Sequence, residues 1–231
     1  MAEPGPRERL IATAIAMFED AGYEAVTVEA IAQRAEVGRT TLFRLFGSKE
    51  GLVFPDHDAL LAHVELRLST ATEGTALTAV VDAARLVFSH YLGEGELARA
   101  RFRLTSSVPA LRDREIASVG RYIRVFTRHL EIHLAGEPNA ALRAELIATA
   151  IVTAHNNVLR RWLRGETDQP AEDFSAAMST TLALIGRPPG NHTAVVVFGT
   201  DEPLELVLPR VERALSNDHA ENRVSDRPAG D

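Results

Sequence analysis

The stretch Thr27–Leu52, TVEAIAQRAEVGRTTLFRLFGSKEGL, decides the reading of this chain. Thr27 predicts a helix start, because its hydroxyl can accept from the free amides of the following turn. The helix it opens runs to about Ala35 and buries Val28, Ile31 and Ala32 at helical spacing. Glu36-Val37-Gly38 makes a short turn, and a second helix runs from Arg39 to Phe46. On that helix Leu42 and Phe46 lie four apart and serve as anchors, with Leu45 beside them, while Arg39, Thr40, Phe43 and Arg44 share the opposite face. Gly47-Ser48 ends it, and Ser48 is placed to cap a further helix from Lys49. Two short helices of this kind suit a helix-turn-helix, in which the first braces on the DNA backbone and the second enters the major groove. Arginine reads guanine through O6 and N7, a threonine or aromatic group touches a thymine methyl, and hydroxyls or arginines grip phosphate.

Charge supports a small reading head rather than a coat of basic surface. The chain of 231 residues has a formal net charge of -7, and residues 1–50 hold six basic groups against eight acids. Nonspecific phosphate binding is driven by basic charge, so this balance argues against it. Between Gly38 and Lys49, however, there are three basic residues and no acid, and Lys49 is the only lysine. Upstream, Leu10, Ile11, Ala14, Ile15, Met17 and Phe18 mark a helix over residues 7–21, closed by Gly22-Tyr23.

Together these residues resemble the TetR family of regulators. The likeness is carried by Thr27, Ile31-Ala32, Ala35-Glu36-Val37-Gly38, Leu42-Phe43-Arg44-Leu45-Phe46 and Ser48-Lys49-Glu50, and it spans about residues 7–54. It implies that Thr27, Thr41 and Lys49 hold phosphates and that Arg39, Thr40 and Arg44 face bases or backbone. Three positions depart from the family pattern. Phe43 replaces the usual tyrosine and lacks a phosphate-binding hydroxyl, Gly38 replaces a capping serine, and Glu36 stands where glycine is usual. The resemblance further implies a homodimer on a palindromic double-stranded operator, repression, and release by a small hydrophobic effector. It places the dimer interface on the last two long helices, around Leu146, Ile147, Ala150, Ala154, Ala176, Thr180 and Leu184.

Downstream the period stays helical for more than a hundred residues. Helices are expected near 49–72, 76–92, 95–106, 109–135, 139–164 and 171–186, separated by Gly74, Gly93/Gly95, Pro109, Gly136-Glu137-Pro138 and Gly165 to Pro170. The 109–135 helix carries two apolar stripes, one with Ile116, Val119, Ile123, Phe126 and Leu130, the other with Tyr122, Val125, His129 and Ile132. Such a helix belongs in the centre of its domain. The expected organisation is all-α: a DNA-binding domain over 1–50, a helical ligand-binding and dimerisation domain over 51–188, and an extension over 189–231. That extension holds a β-branched run at Thr193–Phe198, a helix within Pro203–Leu215 and a polar end. The β-branched run is expected to pair with the dimer mate or to cover the effector domain.

Candidate pocket residues are Phe88, Tyr91, Phe102, Tyr122, Phe126, His129, His155, Asn156 and Trp162, although for any single aromatic core packing is the commoner role. His155-Asn156 stands out, because it interrupts an otherwise apolar helix and a buried polar pair needs partners. Other classes of function find little support. With no cysteine, thiolate sites and disulfides are absent. No Gly-rich phosphate loop or nucleophile elbow occurs, so neither an enzyme nor a cofactor is expected. His129 and His133 could chelate a metal across one turn, but no third ligand stands at matching spacing. No run reaches the roughly 18 apolar residues of a membrane span, and the first residues lack the pattern of a signal peptide, so a cytoplasmic protein is expected. The competing reading is a dimeric helical ligand-binding scaffold whose helix-turn-helix no longer reads DNA.

Overall fold

A computed structural model describes residues 5–54 and 56–185. Among them there are helices and no strands. The β-branched run at Thr193–Phe198, the helix expected within Pro203–Leu215 and the polar end lie outside the described residues.

Helix α1 (Pro6–Ala21) begins with proline at its first position, where the missing N–H costs nothing, and stops at Gly22. Helix α2 (Val28–Arg34) is capped by Thr27, whose Oγ1 accepts from the Ala30 amide at 3.2 Å. The turn after it puts Glu36 at φ +53°, a left-handed conformation that glycine adopts freely and a side chain does not. Helix α3 (Arg39–Phe46) starts at Gly38 without a side-chain cap.

The expected helix over 49–72 is two pieces. A 3₁₀ turn spans Glu50–Leu52, and α4 covers His57–Ser69. The cause is legible in the sequence: a proline at 55 disfavours helix at the residue before it and supplies no amide. Asp56 then restarts the chain as a cap, its Oδ1 accepting from Ala59 N at 3.1 Å. Beyond lie α5 (Ala76–Glu94), α6 (Glu96–Ser107), α7 (Pro109–His133), α8 (Ala140–Leu163) and α9 (Pro170–Ile185).

Two apolar cores result. The first joins Leu10, Ala14 and Phe18 of α1, Ile31 of α2 and Leu42 of α3 to Leu52, Val53 and Phe54, and it is closed by Ala100 and Leu104 of α6 and Leu111 of α7. The head therefore rests on helices from further down the chain. The second core belongs to α4, α5, α7, α8 and α9, with α8 packed against α5, α7 and α9. Helix α8 contributes Ala144, Ile147, Ala148, Ile151, Val152, His155, Val158, Leu159 and Trp162 as buried residues. The two-sided burial expected of α7 is corrected: it buries Leu111, Tyr122, Phe126 and Leu130 and leaves Ile116 and Ile132 more than 60 % exposed.

Candidate functional site

The outer face of α3 is set by one anchor. Leu42 is the only buried residue of this helix, and it fixes which side of the helix faces outward. Arg39, Thr40, Phe43 and Arg44 are exposed, and Thr41 is half-buried. Arg39 reaches back to Glu29 of α2, Nη2 to Oε1 2.9 Å, and its guanidinium lies 5.4 Å from the Phe43 ring centre. Both partners of the ion pair are exposed, so it holds Arg39 only weakly. Thr27 lies at the start of α2 with its oxygen used as a cap and its proton available.

Lys49 is half-buried, with its ammonium 4.1 Å from the Tyr23 ring centre and 5.8 Å from that of Phe18. Tyr23 donates to Glu50 Oε1 at 3.2 Å; burial and this carboxylate push the phenol well above its ordinary range. Glu50 in turn is held below the usual carboxylate range, first by the Ser48 hydroxyl. The sequence pointed to Lys49, but the Tyr23–Glu50 pair that seats it was not anticipated.

A second site lies inside the helical body: a cavity of about 820 Å³, its open mouth included. Of the residues singled out from sequence, Tyr91, Phe102, Tyr122, Phe126, His155 and Asn156 line it. Three lie off its wall. Phe88 is turned toward α9, its ring 4.8 Å from Phe174 and 5.7 Å from His155, so it backs the wall from the core. His129 stands one turn beyond Phe126 and stacks on His133 at 4.4 Å. Trp162 lies past Leu159 and carries the Arg99 guanidinium 5.1 Å from its ring.

Sequence reasoning missed several wall residues: Val53, Phe54, His57, Arg101, Thr105 and Glu115. One signal was present for Arg101, which falls on the apolar stripe of α6 with Ala98 and Leu104. Arg101 is buried and ion-paired through Nη1 to Glu94 Oε2, while its Nε has no hydrogen-bond partner. His57 and Tyr122 share a hydrogen bond of 3.1 Å. Burial, then the nearby arginines 121, 101 and 114, lower the His57 pKa to about 4. Burial lowers that of His155 to about 4 as well, against the bond from its Nδ1 to Asn156 Oδ1 at 3.0 Å. Both imidazoles are therefore neutral at pH 7, and burial keeps the Tyr91 and Tyr122 phenols protonated.

The two sites share a wall. Val53 and Phe54 belong to the core of the head and also line the cavity. Phe54 lies 6.3 Å from the ring of His57, the first residue of α4. Outside these regions the chemistry is sparse. Among the described residues, no cluster of three or more His, Asp or Glu side chains could hold a metal. No helix there is long and apolar enough to cross a membrane.

Comparison with known proteins gives the same reading. Residues 10–55 match the model of bacterial regulatory proteins of the tetR family. The transcriptional regulator TcmR of Streptomyces glaucescens, described as HTH-type, is 30 % identical over 190 residues, covering 76 % of this chain and 80 % of TcmR. MftR of Mycobacterium tuberculosis, named for regulating mycofactocin biosynthesis, is 25 % identical over 176 residues, 75 % of this chain and 88 % of that protein. In fold, the chain resembles the solved structure of SmeT with triclosan, with a TM-score of 0.56 at 18 % identity over 84 % of this chain and 99 % of that one. The chain belongs to the TetR family of bacterial regulatory proteins and is a DNA-binding transcriptional regulator.

Proposed function

We propose that the chain is a repressor that holds a palindromic operator as a homodimer and lets go when a small hydrophobic molecule fills the cavity. Arg39, Thr40 and Arg44 meet base edges or the backbone, Phe43 contributes apolar contact, and Thr27, Thr41 and Lys49 grip phosphates. The copies meet through the outer faces of α8 and α9. Leu146 and Leu184 are 60 % and 75 % exposed in the single chain, with Thr180 beside them, whereas Ile147 is part of the core.

The observation that carries the proposal is the shared wall at Val53 and Phe54. A molecule in the cavity presses on the core that seats α3. Paired heads on a palindrome must stand about 34–36 Å apart, so a small shift at this wall is felt as lost fit. The organisation follows: a reading head over 1–50, a ligand-binding and dimerising body over 51–188, and an extension after it.

The test is selection from a random pool of duplexes, with the double variant Arg39→Ala, Arg44→Ala run in parallel. The proposal predicts a palindrome enriched by the parent and not by the variant. A folded dimer that enriches no site would instead support a ligand-binding scaffold.

A further inference from the structure

Lys49 and Glu50 are neighbours in the chain and opposite in charge, and both meet Tyr23. Resting on the reading of Lys49 as a phosphate contact, we infer that the Tyr23 hydroxyl is a positioning group for DNA binding. It holds the Glu50 carboxylate off Lys49, so that the ammonium meets phosphate with its charge not already neutralised.

Tyr23 follows α1, is buried, and leans on Phe18 with ring centres 4.9 Å apart. The Lys49 ammonium rests on this platform, 4.1 Å from the Tyr23 ring centre. An aromatic ring attracts a cation without cancelling its charge. The Glu50 carboxylate is engaged at the hydroxyl end of the same ring, where Oε1 accepts from the Tyr23 O–H at 3.2 Å. A second donor stands beside it: the Ser48 hydroxyl is the first cause of the lowered Glu50 pKa. Ser48 Oγ accepts from Gly51 N at 3.3 Å, which leaves its proton for the carboxylate. Among the described residues no carboxylate pairs with Lys49, although one is the next residue in the chain. The turn that carries this group packs directly on the end of the reading helix. A Cβ at Gly51 would come within 2.1 Å of the Phe46 carbonyl oxygen, the last residue of α3.

Without the hydroxyl, the adjacent ammonium is the natural partner of Glu50. Such a pair between half-buried side chains adds little to the fold. Its cost falls on DNA binding, because a phosphate must break the pair before it can take the carboxylate's place. The electrostatic part of DNA binding comes from counterions released by cations, about 0.9 in the salt slope for each phosphate neutralised. A Lys49 already matched to Glu50 releases less. The hydroxyl therefore protects a phosphate contact that it does not itself make.

Two readouts on the full chain test this, one of them without DNA. Lys49 is the only lysine, so acetylation by sulfosuccinimidyl acetate, followed by mass spectrometry, reports on one side chain. Tyr23→Phe keeps the ring and drops the hydroxyl; its Lys49 should be acetylated about threefold more slowly, as expected of an amine held in an ion pair. Tyr23→Phe with Glu50→Gln, which removes the competing charge, should return to the parental rate. On the duplex that the parent enriches from a random pool, Tyr23→Phe should bind about threefold more weakly for each bound copy, with a flatter salt dependence. The double variant should recover both. A hydroxyl with a merely structural role gives no such rescue, so a double variant as weak as Tyr23→Phe overturns the inference. So does Tyr23→Phe with parental affinity and acetylation rate, the result if the released carboxylate turns to Arg114 of α7 instead. Lys49→Ala separates the two levels, because its salt slope should flatten by about one for each bound copy. An unchanged slope there refutes Lys49 as a phosphate contact and the inference with it; a flattened slope beside an unaffected Tyr23→Phe refutes the inference alone.

Discussion

Leu42→Ala is the perturbation whose size follows most directly from the structure. Leu42 is 0 % exposed and is the single buried residue of α3. The change deletes three carbons, a transfer loss of about 2.4 kcal/mol at ~0.8 kcal/mol each. The void left behind adds to this, and comparable substitutions fall at about 2.7–5 kcal/mol, so about 3 kcal/mol is expected here. An eight-residue helix cannot persist on its own propensity, so α3 is what this loss releases. At 1.36 kcal/mol per factor of ten, affinity for a selected operator should fall by about two orders of magnitude. The assay is fluorescence anisotropy of a labelled duplex, set beside urea unfolding followed by circular dichroism. The fluorescence of Trp162, the only tryptophan, reports on the body, because it lies in the second core. An operator affinity within threefold of the parent, with stability lowered by less than about 0.5 kcal/mol, would refute Leu42 as the anchor.

Other predictions follow from single features. His57 and His155, with pKa values lowered from 6.5 to about 4, take up protons on unfolding. Stability should therefore fall as pH drops below about 6.5, by on the order of 2 kcal/mol per histidine at pH 5, and the loss should level off below pH 4. Thermal melts across this range check it, and His155→Gln should remove its share. Glu36→Gly relieves the left-handed residue at φ +53° and should raise stability by about 1 kcal/mol in the same melts. Leu146→Glu with Leu184→Glu should convert a dimer to a folded monomer in light scattering, and an unchanged dimer would move the interface elsewhere.

The head was legible because its signals are local. Thr27, Glu36, Gly38 and Gly47 punctuate α2 and α3 within a few residues, and Leu42 fixes the outward face by helical period alone. The break between the head and α4 is equally local: the proline at 55 and the cap Asp56 signal it, although the apolar period running through Leu52, Val53 and Leu60 masks them. The cavity was only half legible. Its aromatics could be guessed, since a wall and a core ask for the same residue types, and so Phe88 and Trp162 could not be told from Tyr91 and Phe102. Arg101 and His57 were not singled out from sequence; it is the fold that brings them to the cavity wall. On α7, periodicity promised two buried faces, but Ile116 and Ile132 stay exposed among the described residues.

The central claim is that filling the cavity loosens the head, and the affinity of Val119→Trp for the selected operator tests it most directly. Val119 lines the same cavity as Val53 and Phe54, so the indole takes up space that a ligand would fill. The expected result is operator binding about 5- to 150-fold weaker than the parent's, the usual range of allosteric coupling, with dimerisation and helix content unchanged. A variant with its cavity filled that still binds the operator as tightly as the parent would contradict the account.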